Sequence, residues 1–187
     1  MMEDKEKTYY VPEWFADTFD YRIRRFFMNP EKIVSPHLAQ GDTALDIGCG
    51  MGFFSIAMAK LVGPGGKIYA VDIQQTVLDG VARRARKRGI ENRIVTVLTD
   101  PYRFEIDDML DFAVGSWIMH ELPDQPAFLE KLSGIMRPGA RFLVMEPKFH
   151  VTEREFLELT ELIRNHGFAI SGNPRIAWSR SILFEKT

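Results

Sequence analysis

The chain has 187 residues, 45% of them hydrophobic and 27% charged, enough for one domain with a sizeable core and unlike a disordered or collagen-like polymer. Lysine and arginine total 24 against 26 acidic residues, a net charge of −2, so no global positive field draws the chain to nucleic acid or to anionic lipid. Cys49 is the only cysteine, which excludes an intrachain disulfide and a multi-cysteine zinc site, and with no apolar run near the roughly 18 residues of a spanning helix a cytoplasmic chain is expected.

The first forty residues carry Tyr9, Tyr10, Trp14, Phe15, Phe19, Tyr21, Phe26 and Phe27 before any strand pattern. Residues 1–40 are therefore expected to be a helical appendage that packs on the sheet or on a partner chain, with a lid over a pocket as the alternative. From about residue 42 short apolar runs alternate with longer helical patterns, the rhythm of βαβ units, and the fold class is α/β.

Thr43 to Ile47 forms the first predicted strand and Phe53 to Leu61 its helix, stopped by Gly63-Pro64-Gly65-Gly66. Lys67 to Asp72 is the second strand. Val77, Val81 and Ala85 recur every four residues in the next helix, with Arg83, Arg86 and Lys87 on its other side and Gly89 at its end. A third strand over Arg93 to Leu98 and a fourth over Asp111 to Ser116 are separated by too few residues for a full crossover helix. Phe128, Leu129, Leu132, Ile135 and Met136 form a helical stripe that Arg137-Pro138-Gly139 should terminate, ahead of a fifth strand over Arg141 to Met145. Thr152 and Glu155 have capping-box spacing before a further helix, which Gly167 stops. Phe168 to Ser171 and Arg180 to Glu185 surround a turn without a helix between them, so this last pair should be antiparallel.

The most informative segment is Leu45-Asp46-Ile47-Gly48-Cys49-Gly50-Met51-Gly52, where a strand ends in an acid and the following turn has glycine at every second position. In an α/β sheet such a turn lies at the carboxyl end of the first strand, where a crevice opens for a nucleoside-bearing ligand. A dinucleotide fingerprint would require glycine at position 53, and Phe53 stands there instead. Twenty residues past Gly52, Asp72 closes the second strand, the place from which a carboxylate accepts bonds from ribose hydroxyls, and Asp100 closes the third. Three acids on one rim, with no cation in the turn, favour a ligand without phosphates.

On these residues the chain from about Gly41 onward resembles the class I S-adenosylmethionine-dependent methyltransferases. Asp46, Gly48, Gly50 and Gly52 match that family's acid-x-Gly-x-Gly-x-Gly motif in full. The resemblance implies a Rossmann-like, doubly wound, seven-stranded sheet, mostly parallel with an antiparallel C-terminal strand, in a domain over 41–187. It also implies that Asp72 holds the ribose, Ile73 lies against the adenine, Asp100 sits near the adenine amino group, and Ser116 faces the cofactor at the end of the fourth strand. Pro101 departs from the pattern by removing a backbone donor where adenine is usually read.

The segment Ser116-Trp117-Ile118-Met119-His120-Glu121-Leu122-Pro123-Asp124 is similar to the His-acid-x-x-Asp segment of many small-molecule methyltransferases, among them plant-type O-methyltransferases in which the histidine is the general base. His120 is the matching residue, and imidazole suits the removal of a hydroxyl proton near neutrality. Packing or capping beside the cofactor is the competing role for His120. Asp124, ahead of Pro126, reads as a helix cap. Glu146 either orients His120 or, before Pro147, simply ends its strand, the latter being favoured. His37 and His166 have no recognisable partners, and no histidine or cysteine spacing suggests a metal site.

Arg83-Arg84-Ala85-Arg86-Lys87-Arg88 reads as a solvated helix face. The expected activity is methyl transfer from S-adenosylmethionine to a small-molecule acceptor, with no nucleic-acid or membrane partner and a homodimer allowed. The alternatives are a noncatalytic S-adenosylmethionine-binding module and a nicotinamide-dependent oxidoreductase.

Overall fold

The computed structural model describes residues 28–99 and 105–187. A helix α1 over Pro30–Val34 begins this part of the chain, and a 3-10 turn, Ser35–His37, follows it. The strands are β1 (Thr43–Ile47), β2 (Lys67–Asp72), β3 (Ile94–Leu98), β4 (Leu110–Ser116), β5 (Met136–Pro147), β6 (Phe168–Gly172) and β7 (Ser179–Lys186). Between them lie α2 (Phe53–Leu61), α3 (Gln75–Arg86), α4 (Gln125–Ile135) and α5 (Glu153–Asn165). The seven strands form one sheet in the order β3-β2-β1-β4-β5-β7-β6. β7 runs antiparallel to both of its neighbours, and the remaining pairs are parallel.

Strand side chains alternate between two covered faces, as a sheet flanked by helices on both sides demands. On β5, Phe142 and Val144 join a core with Leu129 and Leu132 of α4 and Phe156, Leu159 and Ile163 of α5. Leu143 and Met145 turn to the opposite core, shared with Val34 of α1 and with Phe53, Phe54, Ile56 and Met58 of α2. Order reverses at β1, whose neighbours are β2 on one side and β4 on the other. That reversal opens a crevice beyond the carboxyl ends of β1 and β4, and both informative loops stand there.

The capping box of Thr152 and Glu155 and the cap by Asp124 on Ala127 are both formed. The fifth strand departs from expectation. Arg137-Pro138-Gly139 does not stop an element, because β5 already begins at Met136, which pairs with Leu110 before the register shifts and Arg141 takes up Phe112. The bulge absorbs the proline and glycine that sequence alone marks as a terminator. Of the N-terminal appendage, the described end packs α1 onto α2 through buried Val34; the aromatic residues named above, and Asp100 with Pro101, lie outside the described residues.

Candidate functional site

Asp46, at the end of β1, is only 2% exposed. Its Oδ2 accepts from the backbone N–H of Ser55 at 2.7 Å and from the Ser55 hydroxyl, so the carboxylate fastens the strand to the first turn of α2. Of the three acids expected on one rim, Asp46 is thus buried beneath it and ties down the turn. Gly48, Gly50 and Gly52 have φ of 60°, 50° and 80°, a region that glycine enters without steric cost. A Cβ on Gly48 would stand 2.5 Å from Cγ1 of Ile118. The glycine turn and the loop after β4 are therefore in direct contact.

Asp72 closes β2 beside this turn. Its Oδ2 accepts from the Gly50 N–H and its Oδ1 from the Gln74 N–H, each at 3.0 Å. Burial pushes its pKa up, opposed by the N–H groups of Gln74, Gly50 and Ile73. Ile73, the next residue, is an apolar side chain that exposes 41% of its surface. Ser116 is nearly buried at the end of β4.

One support of the turn leaves no mark in the sequence. The Arg84 guanidinium donates to the carbonyl of Met51, reaching the glycine turn from α3, and Arg93 donates to the carbonyl of Ala59 at 3.0 Å. The basic run is thus not solely a solvated face. Nothing in the sequence signals that Arg84 reaches a carbonyl 33 positions earlier.

Beyond β4 a 3-10 turn, Met119–Glu121, carries His120. Its Nδ1 pairs with Oε2 of Glu146, while Oε1 of Glu146 accepts from the Met119 N–H at 2.9 Å. Glu146 is 0% exposed and lies inside β5, paired with Arg180 of β7. The favoured sequence reading, an acid that ends its strand before proline, is corrected: the strand continues through Pro147, and both carboxylate oxygens are spent on the loop that bears His120. Burial pulls the His120 pKa down, but the Glu146 hydrogen bond and charge, with the charges of Glu121 and Glu155, carry it above its ordinary value. Nε2 stands 3.8 Å from Oε1 of Glu121, and the ring meets that of His150 at 4.9 Å. Burial raises the Glu121 pKa, as do the charges of Glu146 and Asp72, whereas His120 and His150 lower it.

The other titratable groups stand apart from this chemistry. His37 stacks on Phe112 at 6.0 Å, and Nδ1 of His166 lies 2.7 Å from the Leu162 carbonyl. Burial, followed by the charges of Asp46 and Asp72, drives the Cys49 thiol well above its ordinary pKa, which leaves it inert as a nucleophile. Among the described residues no cluster of His, Cys, Asp and Glu is arranged to hold a metal ion, and no helix is long and apolar enough to cross a membrane.

Sheet order, glycine turn and strand-terminal acid define a doubly wound ligand-binding domain with its crevice between β1 and β4. Residues 38–173 match the family described as "Methyltransferase domain", well over half of the chain, and the chain belongs to that family. It is 31% identical over 111 residues to the 2-phytyl-1,4-naphtoquinone methyltransferase of Nostoc punctiforme, covering 59% of this chain and 47% of the relative. To the demethylmenaquinone methyltransferase of Symbiobacterium thermophilum it is 28% identical over 117 residues, 62% of this chain and 47% of that protein. The chain thus spans about half the length of these curated relatives. The fold also matches the crystal structure of a SAM-dependent methyltransferase from Aquifex aeolicus, with a TM-score of 0.83 and 22% identity over 95% of this chain and 100% of that one.

Proposed function

We infer that the chain binds S-adenosylmethionine in the β1/β4 crevice and transfers its methyl group to a small-molecule acceptor. The observation that carries this reading is the half-buried Asp72 carboxylate, fixed by the glycine turn through Gly50 and flanked by outward-facing Ile73. Such a donor set fits a nucleoside with two ribose hydroxyls and an apolar base face. Phe53, buried at the head of α2, fills the place where a dinucleotide site needs glycine, so a nicotinamide cofactor is disfavoured. Both curated relatives are named for quinone compounds, which supports a small-molecule acceptor.

When bound, S-adenosylmethionine supplies a sulfonium methyl whose C–S electron pair returns to sulfur, leaving S-adenosylhomocysteine. Asp72 would accept from the ribose hydroxyls and Ile73 would cover one face of the adenine. His120 takes the acceptor's hydroxyl proton at Nε2, because Glu146 accepts the Nδ1 proton and so holds the tautomer whose Nε2 lone pair is free. Glu146 is a positioning residue: it is too deeply buried to meet an acceptor and acts through the ring.

Calorimetric titration with S-adenosylhomocysteine and with NAD tests the cofactor assignment. Binding of S-adenosylhomocysteine alone is expected; binding of NAD alone would refute it. Incubation with labelled S-adenosylmethionine and a panel of phenols and reduced quinones should then give a methylated product, whereas cofactor binding with no transfer across the panel would leave a noncatalytic binding module.

A further inference from the structure

Trp117 and Trp178 are, among the described residues, the two non-glycine positions with positive φ, 62° and 59°. For bulky side chains this is a rare backbone state, kept only where surrounding bonds over-determine it, and it concentrates at ligand sites. The bonds are present. Trp117 donates its backbone N–H to the Met145 carbonyl at 2.7 Å and its indole N–H to the Ser179 hydroxyl at 2.9 Å. The Trp178 carbonyl accepts from the Lys148 N–H at 2.9 Å.

These contacts bring together the loops at one edge of three adjacent strands, where β4 and β5 end and β7 begins. Phe149 meets the Trp117 ring edge-on at 5.5 Å. One residue further along the same loop, His150 meets His120. The same two loops therefore carry both ring pairs, one imidazole and one apolar. Phe149 is 74% exposed and Trp178 44%, although each belongs to a type that folding usually buries. Two large, exposed aromatics thus stand on the loops that adjoin the one bearing the candidate base.

Resting on the methyltransferase reading above, we propose that Trp117, Phe149 and Trp178 form the acceptor subsite, and that it takes a flat aromatic ring bearing a hydroxyl. Ring faces and edges favour a planar aromatic over a saturated ring of similar size. A phenolic or reduced-quinone hydroxyl is also acidic enough for an imidazole to deprotonate as attack proceeds. The subsite thus selects the class of compound that His120 can activate.

The test is titration of the full chain with 1-naphthol and with decahydro-1-naphthol, with and without saturating S-adenosylhomocysteine, in wild type, Phe149→Ala and Trp178→Asn. Asparagine keeps the positive-φ conformation accessible at position 178. Wild type is expected to prefer 1-naphthol. Each substitution should weaken naphthol binding by about two- to tenfold, the worth of one aromatic pair, and affect decahydro-1-naphthol less while leaving S-adenosylhomocysteine binding unchanged. No preference for the aromatic ring, or naphthol affinity indifferent to both substitutions, would overturn the proposal. A wild-type chain that fails to bind S-adenosylhomocysteine would instead defeat the methyltransferase reading, and the titration without it still decides the ring subsite.

Discussion

His120 and Glu146 form a pair in which the buried member sets the chemistry of the exposed one. The pKa of the imidazole is raised in the fold, against the pull of burial, by the Glu146 bond and by surrounding carboxylates. If His120 is the proposed base, it is active only when unprotonated, and the acidic limb of the kcat profile should lie above the ordinary imidazole value. Glu146→Gln keeps an oxygen for the Met119 N–H but removes the charge, and should move that limb toward lower pH while binding of S-adenosylhomocysteine stays unchanged. A limb that does not move would leave Glu146 a structural residue. The sign for stability is opposite. Because the folded pKa exceeds the unfolded one, the pair stabilises the fold fully below the unfolded value and loses that contribution as pH rises through the folded value. On the proposed mechanism the pair stabilises most where turnover is lowest. His120→Ala should lower turnover on a phenolic acceptor by about 10²- to 10⁴-fold, the usual worth of a positioned base, with cofactor affinity nearly constant. Turnover close to wild type would make the histidine a packing residue.

Between elements, the contact of consequence joins the glycine turn to the loop after β4. Gly48→Ala adds a Cβ at φ 60° and 2.5 Å from the Ile118 side chain. Overpacking of this kind costs about 1–3 kcal/mol, so the variant should melt lower and bind S-adenosylhomocysteine more weakly. Adding Ile118→Ala should restore part of the melting temperature, since the two closest contacts go while the 3.1 Å Cβ contact and the φ strain stay; no recovery would mean that the two loops are not coupled through this side chain. The elements themselves were legible where local signals agree: β1, α2 and β2 fall on the residues that period, glycine stops and caps mark out. The β5 boundary was not, because the pairing of Met136 with Leu110 across a bulge is a tertiary fact that overrides the local meaning of Pro138 and Gly139. The site divides in the same way. The spacing from Gly52 to Asp72 is visible along the chain, but the meeting of Glu146 with His120, of Arg84 with Met51 and of Trp117 with Phe149 depends on strand order, which brings residues 26 to 33 positions apart side by side.

For the whole molecule, cofactor and fold are linked by mass action. A ligand that binds only the folded chain adds RT ln(1 + [L]/Kd), about 2.7 kcal/mol at a hundred times Kd. At roughly 2–4 °C per kcal/mol for a chain of this size, saturating S-adenosylhomocysteine should raise the melting temperature by about 5–11 °C, and NAD should leave it unchanged. Asp72 sits at the rim, bonded to backbone N–H groups of the turn rather than packed in either core, so Asp72→Ala should cost the ligand more than the fold. Losing charge-assisted bonds worth about 1.5–3 kcal/mol weakens binding roughly ten- to hundredfold. At the same ligand concentration the stabilisation then falls to between about 1.4 and 0.4 kcal/mol, a shift of at most about 6 °C. The comparison separates two outcomes that a single melting curve would merge. If the free variant melts near wild type and only the ligand-induced shift shrinks, Asp72 is a cofactor residue; if the free variant melts much lower while the shift is preserved, the carboxylate serves the turn and the ribose contact is wrong.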